Sequence, residues 1–156
     1  MELLVEALLQ WISEHSDMSI EGIDPPEVVL MTPTQLTREF YSDAPHLLPT
    51  SGVDDRVNAL YAATDGKHGT IYSLAPDFVS DASYYEEPSE NPLFREIHLH
   101  ELVHHVQWQS GVNETWDCAR EGEAEAYRLG GLYLVAVGAS DPLPNRMFWA
   151  KMYSLC

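Results

Sequence analysis

The segment from Asn91 to Gly111 most constrains what this chain can fold into. Asn91 is a good helix cap and Pro92 suits the first turn, where a missing N–H costs nothing; Gly111 suits the stop. Between them, Leu99, Leu102, Val103 and Val106 recur at helical spacing as an apolar stripe. His100, His104, Gln107 and Gly111 fall on the neighbouring stripe. That polar edge therefore borders the core, where a rigid site belongs.

The other elements are read in the same way. Met1 to His15 carries Leu4, Leu8, Trp11 and Ile12 at helical spacing. Glu27–Met31 is a short β-rich run, and Thr32-Pro33 opens a helix to about Tyr41. Asp43 to Asp54 reads as loop. Val57–Ala63 and Thr70–Leu74 flank the turn-forming Asp65-Gly66-Lys67-His68-Gly69 and predict a hairpin. A second long helix is expected from about Trp116 to Val137, with Gly138 as its stop. Gly130-Gly131 lies inside it, where it allows a kink or a close helix approach. A short helical segment is expected within Asn145–Cys156.

With 156 residues, 45% of them hydrophobic and 21% charged, the chain reads as one globular domain over residues 1–156. Its formal charge of −17 argues against nucleic acid or an anionic membrane surface as partner, since both need a basic patch. The longest apolar run, Leu129–Val137, is far short of the roughly 18 residues of a membrane span. Met1–Ser13 mixes acids with apolar residues, has no basic start and does not read as a signal peptide. Compartment and oligomeric state stay open. Cys118 and Cys156 are too few for a disulfide framework; one bridge and two free thiols are both open readings.

The chemistry lies in His100-Glu101-Leu102-Val103-His104, an HExxH pattern. Residues four apart on a helix differ by about 40° and one turn, so both imidazoles can reach one metal ion. Glu101 sits beside them, placed to take a proton from metal-bound water. Downstream, Glu121 is 17 residues past His104, and Glu125 is one turn beyond Glu121 on the same face. In a helix running from Trp116, Glu123 points nearly the opposite way and reads as a solvated charge. His98, His105, His15, His46 and His68 read as structural or solvated, and Trp108 and Trp116 as core anchors.

This pair of helices resembles the active-site core of the gluzincin, thermolysin-like branch of zinc metallopeptidases. There HExxH lies on one helix and Glu-x-x-x-Asp on the next; prenyl-protease-type enzymes carry a similar Glu-x-x-Ala-Asp. The likeness covers about Leu93 to Leu134. It implies one zinc ion per chain on His100, His104 and Glu121, with Glu101 as general base. Glu125 stands where the family has the Asp that orients the first histidine. For the group that stabilises the oxyanion, Tyr127, Arg128 and Tyr72 are the candidates. The implied fold is α+β, a compact zincin-like core. A small antiparallel or mixed sheet, with its hairpin, packs on the active-site helix beside a second ligand-bearing helix. Thr70–Ser73 is the expected cleft-edge strand, to which an extended peptide adds. The implied function is a zinc-dependent hydrolase, a small metallopeptidase cleaving a peptide or protein substrate by Glu101-assisted attack of zinc-bound water. The alternative is a catalytically silent module of the same fold that binds metal and a protein partner.

Overall fold

The computed structural model describes residues 1–156 as an α+β fold of five helices and one three-stranded sheet. In chain order these are α1 (Glu2–His15), β1 (Glu27–Met31), α2 (Pro33–Phe40), β2 (Ala59–Ala62), β3 (Thr70–Leu74), α3 (Pro92–Gln109), α4 (Glu123–Ala136) and α5 (Arg146–Tyr153). No helix is long and apolar enough to cross a membrane.

The capping signals act as the sequence predicts. Asn91 accepts from the Leu93 amide at the start of α3, and Thr32 with Gln35 forms a capping box at the start of α2. Gly111 ends α3 with φ 75°, a left-handed conformation that glycine adopts without a Cβ clash.

The sheet is mixed, in the order β1-β3-β2. β3 pairs antiparallel with β2 (Ala59 opposite Ser73) and parallel with β1 (Glu27 opposite Thr70). The expected hairpin is present, but β3 is the central strand and β2 the edge. That corrects the placing of Thr70–Ser73 at an edge: β1 returns alongside β3, so both sides of β3 are hydrogen-bonded. The period-2 alternation of a strand then explains the two cores. Val28, Ile71 and Tyr61 face a cluster built from Val5, Leu8 and Ile12 of α1, Leu99, Leu102, Val103 and Val106 of α3, and Leu129 and Leu134 of α4. Met31, Leu74, Leu60 and Tyr72 face a smaller one with Leu36 of α2 and Phe94 of α3.

The whole predicted stripe of α3 is inaccessible to solvent. Each such side chain contributes about 1.5–3 kcal/mol relative to exposure. α3 is thus held against α1, α4, β2 and β3 at once, and its polar edge is fixed with it.

The second long helix differs from expectation. Residues Ala119–Gly122 form a tight 3₁₀ turn, and α4 begins only at Glu123. The glycine pair in α4 serves close approach. A Cβ on Gly130 would collide with the Glu96 carboxylate, and one on Gly131 would lie 2.8 Å from Arg146 Cδ. Arg146 lies over α4 here, pairing with Glu96 (2.7 Å) and Asp141 (2.7 Å) and so docking α5. The open cysteine question resolves as a bridge: Cys118 and Cys156 are joined, tying the chain after α5 to the turn before α4.

Candidate metal centre

A cleft of about 850 Å³ opens along the polar edge of α3. Residues Asn58–Tyr61 of the β2 region form one side, and Tyr127 of α4 and Leu143, Arg146 and Tyr153 of the C-terminal segment another. His100, Glu101 and His104 line it.

On α3 the two imidazoles lie one turn apart and edge to face, with His100 Nε2 and His104 Nε2 separated by 3.2 Å. The Glu123 carboxylate enters between them, 3.2 Å from His100 Nε2 and 3.6 Å from His104 Nε2. These three side chains form a group that could hold a metal ion. Burial opposes ionisation of Glu123, but hydrogen bonds and charge from both histidines outweigh it and hold the carboxyl well below its ordinary range.

Glu101 is buried and lies alongside rather than within this triangle. Burial pushes its carboxyl above the ordinary carboxylate range, against the charges of His100 and His104, which lower it.

The acidic side chains downstream are sorted differently from the expectation. Glu121 does not join the histidines. Its Oε1 accepts from the Asp117 amide (2.7 Å), closing the turn before α4. Glu125 does not stand behind a histidine but pairs with Arg128 at 2.6 Å. Glu123, expected to be solvated, is the residue that meets the imidazoles. Ala126, Leu129, Gly130, Tyr133 and Leu134 form the buried face of α4, and Glu123, three residues before Ala126, lies on it, whereas Glu121 falls in the 3₁₀ turn outside that helix.

Two of the three oxyanion candidates lie away from the cleft. The Tyr72 hydroxyl donates to Asp65 (2.8 Å), and Arg128 is taken up by Glu125 and the His15 carbonyl. Tyr127 lines the cleft one turn after Glu123, its ring edge-on to His100 with centroids 4.9 Å apart. Burial, followed by the Glu123 charge, pushes its hydroxyl up to about 12, so it stays protonated at neutral pH.

The chain belongs to the DUF6647 family, a domain of unknown function, over residues 1–153. No curated protein and no solved structure matches it.

Other side chains complete the picture around that site. Trp108 and Trp116, expected as core anchors, line the cleft, and Trp108 is 46% exposed. Leu99, Leu102, Val103 and Val106 fill the core side of α3, and Trp108 lies off that face. His98 is fully buried; its Nδ1 donates to the Phe94 carbonyl, and burial pushes it down to about 4, so it is neutral. His105 donates through Nε2 to the Asp24 carbonyl and accepts from the Tyr61 hydroxyl, tying α3 to the sheet side. The sequence reading missed Gln107 as a contact of the site, although it shares the histidine stripe. Its side chain is buried between His104 and the Gly122 carbonyl.

Proposed function

We propose that the chain is a zinc-dependent hydrolase, a small peptidase with a zincin-like core, in which His100, His104 and Glu123 hold the ion. The observation that carries this reading is the spacing of the three donors. A tetrahedral zinc with bonds of about 2.0–2.1 Å needs its ligand atoms about 3.3 Å apart. The two imidazole Nε2 atoms are 3.2 Å apart, and the Glu123 carboxylate spans both, with Oε2 3.2 Å from His100 Nε2 and Oε1 3.6 Å from His104 Nε2. Two neutral imidazoles and one carboxylate suit zinc, and three protein ligands leave a position open for chemistry.

A metal ion there would supply Lewis acidity to a water and to a substrate carbonyl. The protein groups do the rest. Glu101 accepts a proton from the attacking water and passes it to the leaving amine. Tyr127, protonated beside His100, is the group that donates to the developing oxyanion.

The edge strand β2 supports a peptide substrate. Leu74 N–H donates to the Asn58 carbonyl, so the antiparallel alternation turns the backbone groups of Ala59 and Tyr61 away from β3. That row borders the cleft, and an extended peptide can add to it.

The test is zinc analysis of purified protein, followed by a broad peptide library with and without a chelator. The expected result is about one zinc per chain and cleavage that the chelator abolishes and added zinc restores. Absence of zinc would overturn the metal centre. Zinc-loaded protein that cuts no peptide would instead favour the silent binding module.

A further inference from the structure

We infer that Gln107 is the positioning residue of the centre: one buried side-chain amide sets both the proton position on His104 and the place from which Glu123 starts. The inference rests on the metal-site reading above for its purpose, but its geometry stands apart from it.

Gln107 lies on α3, three residues after His104, and is 3% exposed. Its Oε1 accepts from His104 Nδ1 at 3.0 Å. Its Nε2 donates to the Gly122 carbonyl at 3.0 Å. Gly122 is the last residue of the 3₁₀ turn and immediately precedes Glu123. The two ends of one planar group thus hold the two helices that carry the donors.

The order of causes runs from the backbone outward. A carbonyl oxygen can only accept, so the Gly122 carbonyl requires the NH₂ end of the Gln107 amide. The oxygen end is then left to face His104 Nδ1. An oxygen can only accept there too, so the imidazole carries its proton on Nδ1. In the neutral ring the lone pair is then on Nε2, the atom that faces His100 and Glu123. Swapping the amide ends would set two oxygens against each other at the Gly122 contact. His100 has no such device; the Tyr127 ring packs against it instead.

Gly122 supports the same reading from the other side. Its φ of −64° is open to any residue, so conformation does not require glycine there. Space does: a Cβ would lie 2.6 Å from Gln107 Oε1 and 2.7 Å from the Trp116 ring. The turn comes that close because the amide must reach its carbonyl.

Three variants separate the parts. Gln107→Met keeps length and removes both hydrogen bonds. Gln107→Glu keeps an acceptor for His104 but loses the donor to Gly122. Gly122→Ala leaves the amide intact and pushes it out of place. The first readout needs no metal: ¹⁵N-histidine two-bond correlation spectra of the zinc-free protein at alkaline pH. His104 should carry its proton on Nδ1 in wild type and in Gln107→Glu, and shift toward Nε2–H in Gln107→Met. The second readout is zinc affinity by chelator competition. It should fall about 10–100-fold in Gln107→Met and in Gly122→Ala, the usual effect of losing a partner behind a metal ligand, and less in Gln107→Glu. An unchanged His104 tautomer together with unchanged zinc affinity in Gln107→Met overturns the proposal. If Gln107→Met does not fold by circular dichroism, Gly122→Ala and Gln107→Glu decide it on the same two readouts. If wild type binds no zinc, the metal reading fails, and the tautomer spectra alone still support or overturn the role of Gln107.

Discussion

Glu123 Oε2 lies 3.2 Å from His100 Nε2, although Glu123 is the first residue of its helix and His100 sits in the middle of another. Glu123 shares its face of α4 with Ala126 and Tyr127, so the packing of α4 on α3 decides which acid meets the histidines.

The acids should therefore separate cleanly by metal content. Glu123→Ala and His104→Ala should each drop zinc from about one per chain to near zero, by the three-ligand logic of an open site. Glu121→Gln and Glu125→Gln should leave it in place, since these carboxylates serve the Asp117 amide and Arg128. Atomic emission on dialysed protein checks this; loss of metal from Glu121→Gln with retention in Glu123→Ala would reverse the assignment.

Glu101→Gln should keep the zinc and the melting temperature, because Glu101 lies beside the donors and not among them. Turnover of a library-derived substrate should fall by about 10²–10⁴, the usual effect of losing a general base. Wild-type turnover in this variant would remove Glu101 from the mechanism.

Tyr127→Phe keeps the ring against His100 and deletes only the hydroxyl. Turnover should fall by about 10²–10³, as for other lost oxyanion donors, with KM and zinc content little changed. A matching loss of zinc would instead make Tyr127 a support for His100 alone.

Much of this was legible in the sequence, and what was not has a local cause. Asn91, Pro92 and Gly111 bounded α3 within a residue, because capping is chemistry between near neighbours. The apolar stripe and the two histidines followed from helical period alone. Gly130-Gly131 left a kink and a close approach both open, and it is the close approach, by Arg146 and Glu96, that the structure has. The third donor was misplaced because nothing in Ala119-Arg120-Glu121-Gly122 distinguishes a 3₁₀ turn from the first turn of an α-helix. Residues two apart on a helix differ by about 200°, so a helix reading that includes Glu121 on the inner face puts Glu123 outside. The exchange of edge and central strand has another source. The β1–β3 pairing is long-range and parallel, and no turn signal announces it.

The Cys118–Cys156 bridge should matter for stability and for the C-terminal wall of the cleft. It closes a loop spanning 38 residues, for which the chain-entropy relation gives about 4 kcal/mol. Replacing both cysteines by serine should lower stability by about 2–4 kcal/mol in denaturant melts. α5 stays docked through Arg146, so zinc content should persist. A double variant as stable as wild type would show that the Arg146 contacts alone hold the segment.

Asp54 should set part of the acid response. Its carboxylate accepts from Arg56 Nε (2.8 Å), Arg56 Nη2 (2.7 Å), the Arg56 amide and the Tyr41 hydroxyl, while its own amide donates to Thr37 Oγ1. The hydrogen bonds from Arg56 lead the causes that hold its carboxyl well below the ordinary range, against desolvation. The unfolded chain therefore binds the proton first as pH falls. The stability that Asp54 contributes is fully present above the ordinary carboxylate pKa of about 4 and is lost progressively below it. Asp54→Asn keeps the shape but removes the charge and turns one acceptor into a donor facing Arg56. Its melting temperature at pH 7 should lie about 2–4 °C below wild type, and the gap should narrow as both are taken below pH of about 4. Thermal melts of the pair across that range read this directly. A constant gap at every pH would mean that the loop is held by packing around Tyr41 and Thr37, with no contribution from the ionised carboxylate.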